Sequence, residues 1–122
     1  MVRPLISVVD DDESVRESLA DLLREFGFAV QAFSSGEEFL ASDCVRQTKC
    51  LVLDLANGGN EQTHLQLELT RRRQEIPIIF ITGQVDETVR PHLLKQGAVE
   101  CLFKPFSETA LLAALNAAVQ VS

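Results

Sequence analysis

Apolar runs of strand length alternate with segments of helical period along the chain, and this alternation limits the possible folds more than any other feature. Leu5 to Val9 is a short β-branched run. Val15, Leu19, Leu22, Leu23 and Phe26 then recur at helical spacing, and Gly27 stands where a helix C-terminus favours glycine. Phe28 to Phe33 reads as a second strand, with Gln31 pointing to an edge position. Ser34 and Ser35, followed by Glu37 and Glu38, form two overlapping capping boxes that open a short helix. Cys50 to Leu53, Ile76 to Ile81 and Val99 to Phe103 are the third, fourth and fifth strands, with Pro77 tolerated only at a strand start. A last helix opens at Ser107 and buries Leu111, Leu112, Leu115 and Val119. Continuous apolar strands belong to a sheet covered on both faces. Strands joined by helices imply right-handed crossovers and parallel pairing. The expected fold is therefore a doubly wound α/β structure on a five-stranded parallel sheet.

Two segments resist this pattern. His64 to Thr70 alternates with period two, like a strand, and leaves Leu67 unexplained. It is assigned as helix because a crossover is needed there and Leu65 and Leu69 share one face. Pro91 falls in the helix between the fourth and fifth strands, which is expected to be short, late-starting or distorted.

The chain has 122 residues, the size of one domain, and no linker-like stretch divides it, so 1–122 is read as a single unit. With 46% hydrophobic and 24% charged residues it has the balance of a globular protein. A net charge of −7 argues against binding a nucleic-acid backbone directly. Cys44, Cys50 and Cys101 match no metal spacing and read as free thiols in a reducing compartment. No apolar segment long enough for a membrane span follows the first residues, so a cytoplasmic location is expected. His64 and His92 have no metal spacing between them, and Arg71-Arg72-Arg73 suits the C-terminus of the third helix.

In a doubly wound fold, ligands bind beyond the carboxyl ends of the strands. The first strand ends in Asp10-Asp11-Asp12-Glu13, the third in Asp54, the fourth in Thr82-Gly83 and the fifth in Lys104-Pro105. Helix capping alone explains an acidic pair such as Asp10 and Asp11 equally well. Capping does not explain acids, a hydroxyl and an ammonium meeting at one sheet edge. Close carboxylates repel, and a hard divalent cation with oxygen ligands removes that cost. A carboxylate is also a nucleophile toward phosphorus, and the transferring phosphoryl group needs positive charge and donors around it.

Val8-Val9-Asp10-Asp11-Asp12, Val52-Leu53-Asp54-Leu55, Phe80-Ile81-Thr82-Gly83 and Phe103-Lys104-Pro105-Phe106 together resemble the response-regulator receiver domains of two-component signalling. Ile-Thr-Gly, Gly97-Ala98-Val99-Glu100 and Lys104-Pro105-Phe106 look most like the FixJ-type subgroup. The resemblance implies a flavodoxin-like three-layer sandwich with strand order 2-1-3-4-5. It implies that Asp54 accepts a phosphoryl group from a histidine kinase, and that Asp10, Asp11, Asp54 and the carbonyl of Ala56 bind Mg²⁺ (or Mn²⁺). Asp11 would bind directly and Asp10 through water. Thr82 and Lys104 would act on the phosphoryl group, and the Lys104–Pro105 bond would be cis. Such a chain is a signalling domain rather than an enzyme, with a kinase and an output protein or domain as partners. A homodimer through the helix before the fifth strand and that strand is a further implication.

Two stretches depart from the family pattern. Asn57-Gly58 stands where the family usually has Met-Pro, and Gln62 where it has a glycine; the 55–62 loop is expected to be mobile or reshaped without Mg²⁺. Cys101 stands where the family usually has an inward-swinging Tyr or Phe. These departures motivate a second reading, a receiver-like interaction module with impaired or phosphorylation-independent switching. A flavin- or nucleotide-binding enzyme is a third, against which stands the lack of G-x-x-x-x-G-K or G-x-G-x-x-G after the first strand.

Overall fold

The computed structural model describes residues 3–54, 60–82, 98–103 and 106–121. Its strands are β1 (Leu5–Val9), β2 (Ala29–Phe33), β3 (Thr48–Asp54), β4 (Ile78–Thr82) and β5 (Ala98–Phe103). Its helices are α1 (Glu13–Glu25), α2 (Gly36–Leu40), α3 (Asn60–Arg71) and α4 (Glu108–Val121). All neighbouring strands pair in parallel, and the order is β2-β1-β3-β4-β5. This is the expected doubly wound sheet. Pro77 lies just before β4 rather than within it, and its carbonyl accepts from the Leu51 N–H at 2.9 Å. The expected helix between β4 and β5, with Pro91 and His92, lies outside the described residues.

Alternation along each strand divides the core in two. Ile6, Val8, Val52, Ile79 and Ile81 face α1 and α4, where Leu19, Leu23, Leu111 and Leu115 cover them. Val9, Leu51, Leu53, Phe80 and Cys101 face the other way, onto Phe39 of α2 and Leu65 and Leu69 of α3. Gln31 is exposed on the edge strand β2. The period-two stretch in α3 resolves simply: Leu65 and Leu69 are buried and Leu67 is 65% exposed. Cys50 and Cys101 are buried, and burial pushes the Cys50 thiol up to about 12.

Local signals fix the helix ends. The Asp12 side chain caps α1 by accepting from the Val15 N–H at 3.2 Å. At the other end Gly27 adopts φ 99°, while the Gly27 and Phe28 N–H groups donate to the Arg24 and Leu23 carbonyls, a Schellman closure. Ser35 caps α2 through the Glu38 N–H at 3.1 Å. Glu38 accepts in return from the Ser34 hydroxyl and N–H, which holds its carboxyl below the usual range. At the end of α3, hydrogen bonds from Arg71 and Arg72 lower Glu68 to about 2, and Arg72 Nη1 also donates to the Leu40 carbonyl of α2 at 2.9 Å.

α3 closes with the same Schellman pattern, the Arg73 and Gln74 N–H groups donating to Thr70 and Leu69. Here, however, the left-handed residue is Arg73, at φ 59°. A side chain strains that conformation, and glycine does not. Arg73→Gly is therefore expected to stabilise the fold by about 0.5–1 kcal/mol. Urea unfolding followed by circular dichroism measures this, and a lower midpoint in the variant would refute it.

Candidate functional site

β1 and β3 are neighbours in register, Val9 beside Leu53, so the next residues, Asp10 and Asp54, leave the sheet side by side. Both continue the strand parity that faces α1. They line one pocket of about 330 Å³ together with Ser14, Val15, Ser18, Leu19 and Leu22 of α1, Ile81 of β4 and Phe106.

Asp10 is held at three points. Its N–H donates to the Phe33 carbonyl at 3.1 Å, and its own carbonyl accepts from Arg16 Nη1 at 2.8 Å. Its Oδ1 accepts from the Asp12 N–H at 2.9 Å. The side chain is therefore preset, and the residue is only 3% exposed. Asp54 is half-buried at the end of β3. Asp11 is exposed and is not among the residues lining the pocket. Arg16 was missed by sequence reasoning. Its only local signal is a cation one turn into α1, where acids are the residues that suit the helix dipole.

Thr82 ends β4 and is 2% exposed. Its neighbour Ile81 is the register partner of Asp54, so Thr82 lies one strand over with the parity of Phe80. Cys101 pairs with Phe80 and is packed in the same layer, 1% exposed. Lys104 directly follows Phe103, the register partner of Thr82. Lys104, Pro105 and residues 55–59, including Ala56, lie outside the described residues, as does that part of the expected 55–62 loop; its last three residues, Asn60, Glu61 and Gln62, open α3 instead of belonging to a loop. Among the described residues no three His, Cys, Asp or Glu side chains form a metal cluster.

The paired Asp10 and Asp54 suit a hard cation by their chemistry. The described pocket wall carries two carboxylates and no Lys, Arg or His, and Arg16 spends its recorded bond on a carbonyl. Buried like charges of this kind are stabilised by a divalent ion that accepts oxygen donors.

Residues 6–116 match the family model of the response regulator receiver domain. The chain belongs to that family. This receiver is 43% identical over 118 residues to Nodulation protein W of Bradyrhizobium diazoefficiens, a match covering 97% of this chain and 52% of that protein. Transcriptional regulatory protein FixJ of Rhizobium meliloti is 37% identical over 113 residues, 93% of this chain and 55% of that protein. The receiver thus spans about half the length of the curated relatives it matches. Among solved structures it resembles the response regulator StyR, at TM-score 0.85 and 43% identity over 98% of this chain and 61% of that one. It also resembles FixJ-N, at TM-score 0.85 and 37% identity over 98% and 96%. The FixJ-type resemblance is thus shared by sequence and fold. Among the described residues no helix is long and apolar enough to cross a membrane.

Proposed function

We propose that residues 1–122 act as one receiver unit in which Asp54 accepts a phosphoryl group from a histidine kinase in a Mg²⁺-dependent reaction. The observation that carries this reading is the pairing of Asp10 and Asp54 at the carboxyl edge of the sheet, on one pocket. An Asp54 carboxylate oxygen attacks phosphorus, the bond to the donor nitrogen breaks, and its electron pair returns to the imidazole. Asp10 and Asp11, with Asp54 and the Ala56 carbonyl, are the residues that would hold Mg²⁺ or Mn²⁺. The bound ion supplies positive charge to the carboxylates and to the phosphoryl oxygens. The Thr82 hydroxyl and the Lys104 ammonium stabilise those oxygens from the neighbouring strand ends. The receiver is a switch, not a turnover enzyme; its catalysis is confined to its own phosphorylation and dephosphorylation.

The test is direct. Acetyl phosphate with Mg²⁺ is expected to add the mass of one phosphoryl group, and Asp54→Ala to abolish it. An unmodified native chain under those conditions would defeat the reading.

The burial of Cys101 favours a second reading of the output step. Cysteine is too small to act as a swinging rotor, and it lies in the core layer that carries Thr82's strand parity. A receiver whose phosphorylated and unphosphorylated forms bind the output partner equally would establish that second reading, an interaction module without a phosphorylation-driven switch.

A further inference from the structure

Arg16 donates from Nη1 at 2.8 Å to the Asp10 carbonyl, which belongs to the peptide joining Asp10 to Asp11. We propose that Arg16 is a positioning residue: by holding that peptide it sets how the two acids are presented to one Mg²⁺ ion. The inference rests on the reading of Asp10 and Asp11 as metal-holding residues. Asp10 is 3% exposed and Asp11 is exposed, so a single peptide separates a buried acid from an open one. A peptide unit is planar, so fixing its carbonyl fixes the orientation of the whole unit. The peptide on the other side of Asp11 is anchored as well, through the Asp12 N–H that donates to Asp10 Oδ1 at 2.9 Å. Asp11 therefore stands between two held peptides, and Arg16 holds the first.

Helical side chains lean toward the helix N-terminus, so a long one near the start of α1 reaches back over the end of β1. Arg16 is half-buried in doing so. Its charge also reaches Glu38 of α2. Hydrogen bonds from Ser34 hold the Glu38 carboxyl below its usual range, and Arg16 lowers it further. Ser34 follows Phe33, whose carbonyl accepts the Asp10 N–H at 3.1 Å. These contacts close a ring that runs from Asp10 through Arg16, Glu38, Ser34 and Phe33 back to Asp10. The ring grips the Asp10 backbone by both its N–H and its carbonyl, while Asp10 still lines the pocket. A guanidinium paired with the carboxylate would compete with a cation. One bonded to the carbonyl holds the residue without that competition.

Calorimetric titration of residues 1–122 with MgCl₂ tests this. Arg16→Met keeps an apolar stem and removes the donor. Its dissociation constant for Mg²⁺ is expected to rise about tenfold, as when a residue that orients a metal ligand is lost. Arg16→Lys can still donate to the carbonyl and should recover most of that loss. Glu38→Gln should weaken binding slightly by itself and add nothing in the Arg16→Met background, where the ring is already open. Circular dichroism checks the fold; Arg16→Gln, too short to reach the carbonyl, gives the same contrast if the methionine variant unfolds. The sign of the change is decisive. A cation that acted only through its charge would repel Mg²⁺, so its removal would tighten binding, and that result would overturn the proposal. An unchanged constant in variants that merely melt lower would make Arg16 a structural residue alone and overturn it too. No Mg²⁺ binding by the native chain would instead defeat the metal reading on which the inference stands.

Discussion

Mg²⁺ is expected to raise the melting temperature of the native chain by roughly 10 °C at a hundred times its dissociation constant, and to leave Asp10→Asn almost unmoved. Binding to the folded state alone stabilises it by about 2.7 kcal/mol at that concentration. The effect should vanish in Asp10→Asn for a specific reason. Asparagine keeps the shape of the residue and an oxygen to accept the Asp12 N–H, now made at 2.9 Å. It removes the charge that a divalent ion would neutralise beside Asp54. The same substitution keeps a side chain of equal size in a residue only 3% exposed, so the variant should keep the fold. Phosphorylation of Asp54 should nevertheless slow by about a hundredfold. With no Trp or Tyr in the sequence, circular dichroism is the suitable thermal probe. An equal Mg²⁺ shift in both proteins would show that Asp10 is not part of the metal site.

Phe39→Ala is expected to cost about 3–5 kcal/mol, a large share of the stability of a domain this size. The α2 helix has five residues, too few to persist by backbone hydrogen bonding alone. Its attachment is the fully buried Phe39 side chain, whose ring meets Phe33 edge-to-face at 5.4 Å. Phe33 ends β2, and its carbonyl holds the Asp10 N–H. Phe39 thus supports the strand end on which the site is hung, through packing rather than through any polar contact with it. Phe39→Leu should recover most of the loss by refilling the space. Urea unfolding of both variants reads this out. A cost below about 1 kcal/mol for the alanine variant would show that α2 is anchored elsewhere.

Much of this protein is readable along the chain because the signals are local. Asp12, Gly27 and Ser35 act on groups within four residues of themselves, and each terminates a helix where its chemistry predicts. The apolar strands are legible because burial on both faces leaves no polar residue between Leu51 and Leu53 or between Ile78 and Ile81. The crossover requirement correctly overrode the strand-like alternation in α3, and exposure of Leu67 explains why that alternation misled. The acids and hydroxyl of the site follow from strand-end position, since parallel strands bring all their carboxyl ends to one edge.

Other features depend on residues that meet only after folding. Thr48 Oγ1 donates to the Cys44 carbonyl, so the buried Ser7 hydroxyl, 41 residues away, must donate to Thr48. The Arg16 grip on the Asp10 carbonyl needs α1 to lie across the end of β1. The bond from Arg72 Nη1 to the Leu40 carbonyl joins the end of α3 to α2, 32 residues away in sequence. The sequence by itself determined the alternating architecture and the identity of Asp10, Asp54 and Thr82 as strand-end groups, because periodicity and capping act within a few residues. Only the tertiary structure decided that Asp10 is buried while Asp11 is exposed, that Cys101 lies in the core, and that Asp54 opens onto a pocket walled by α1. Burial and pocket shape arise from packing between distant segments, which no local pattern encodes.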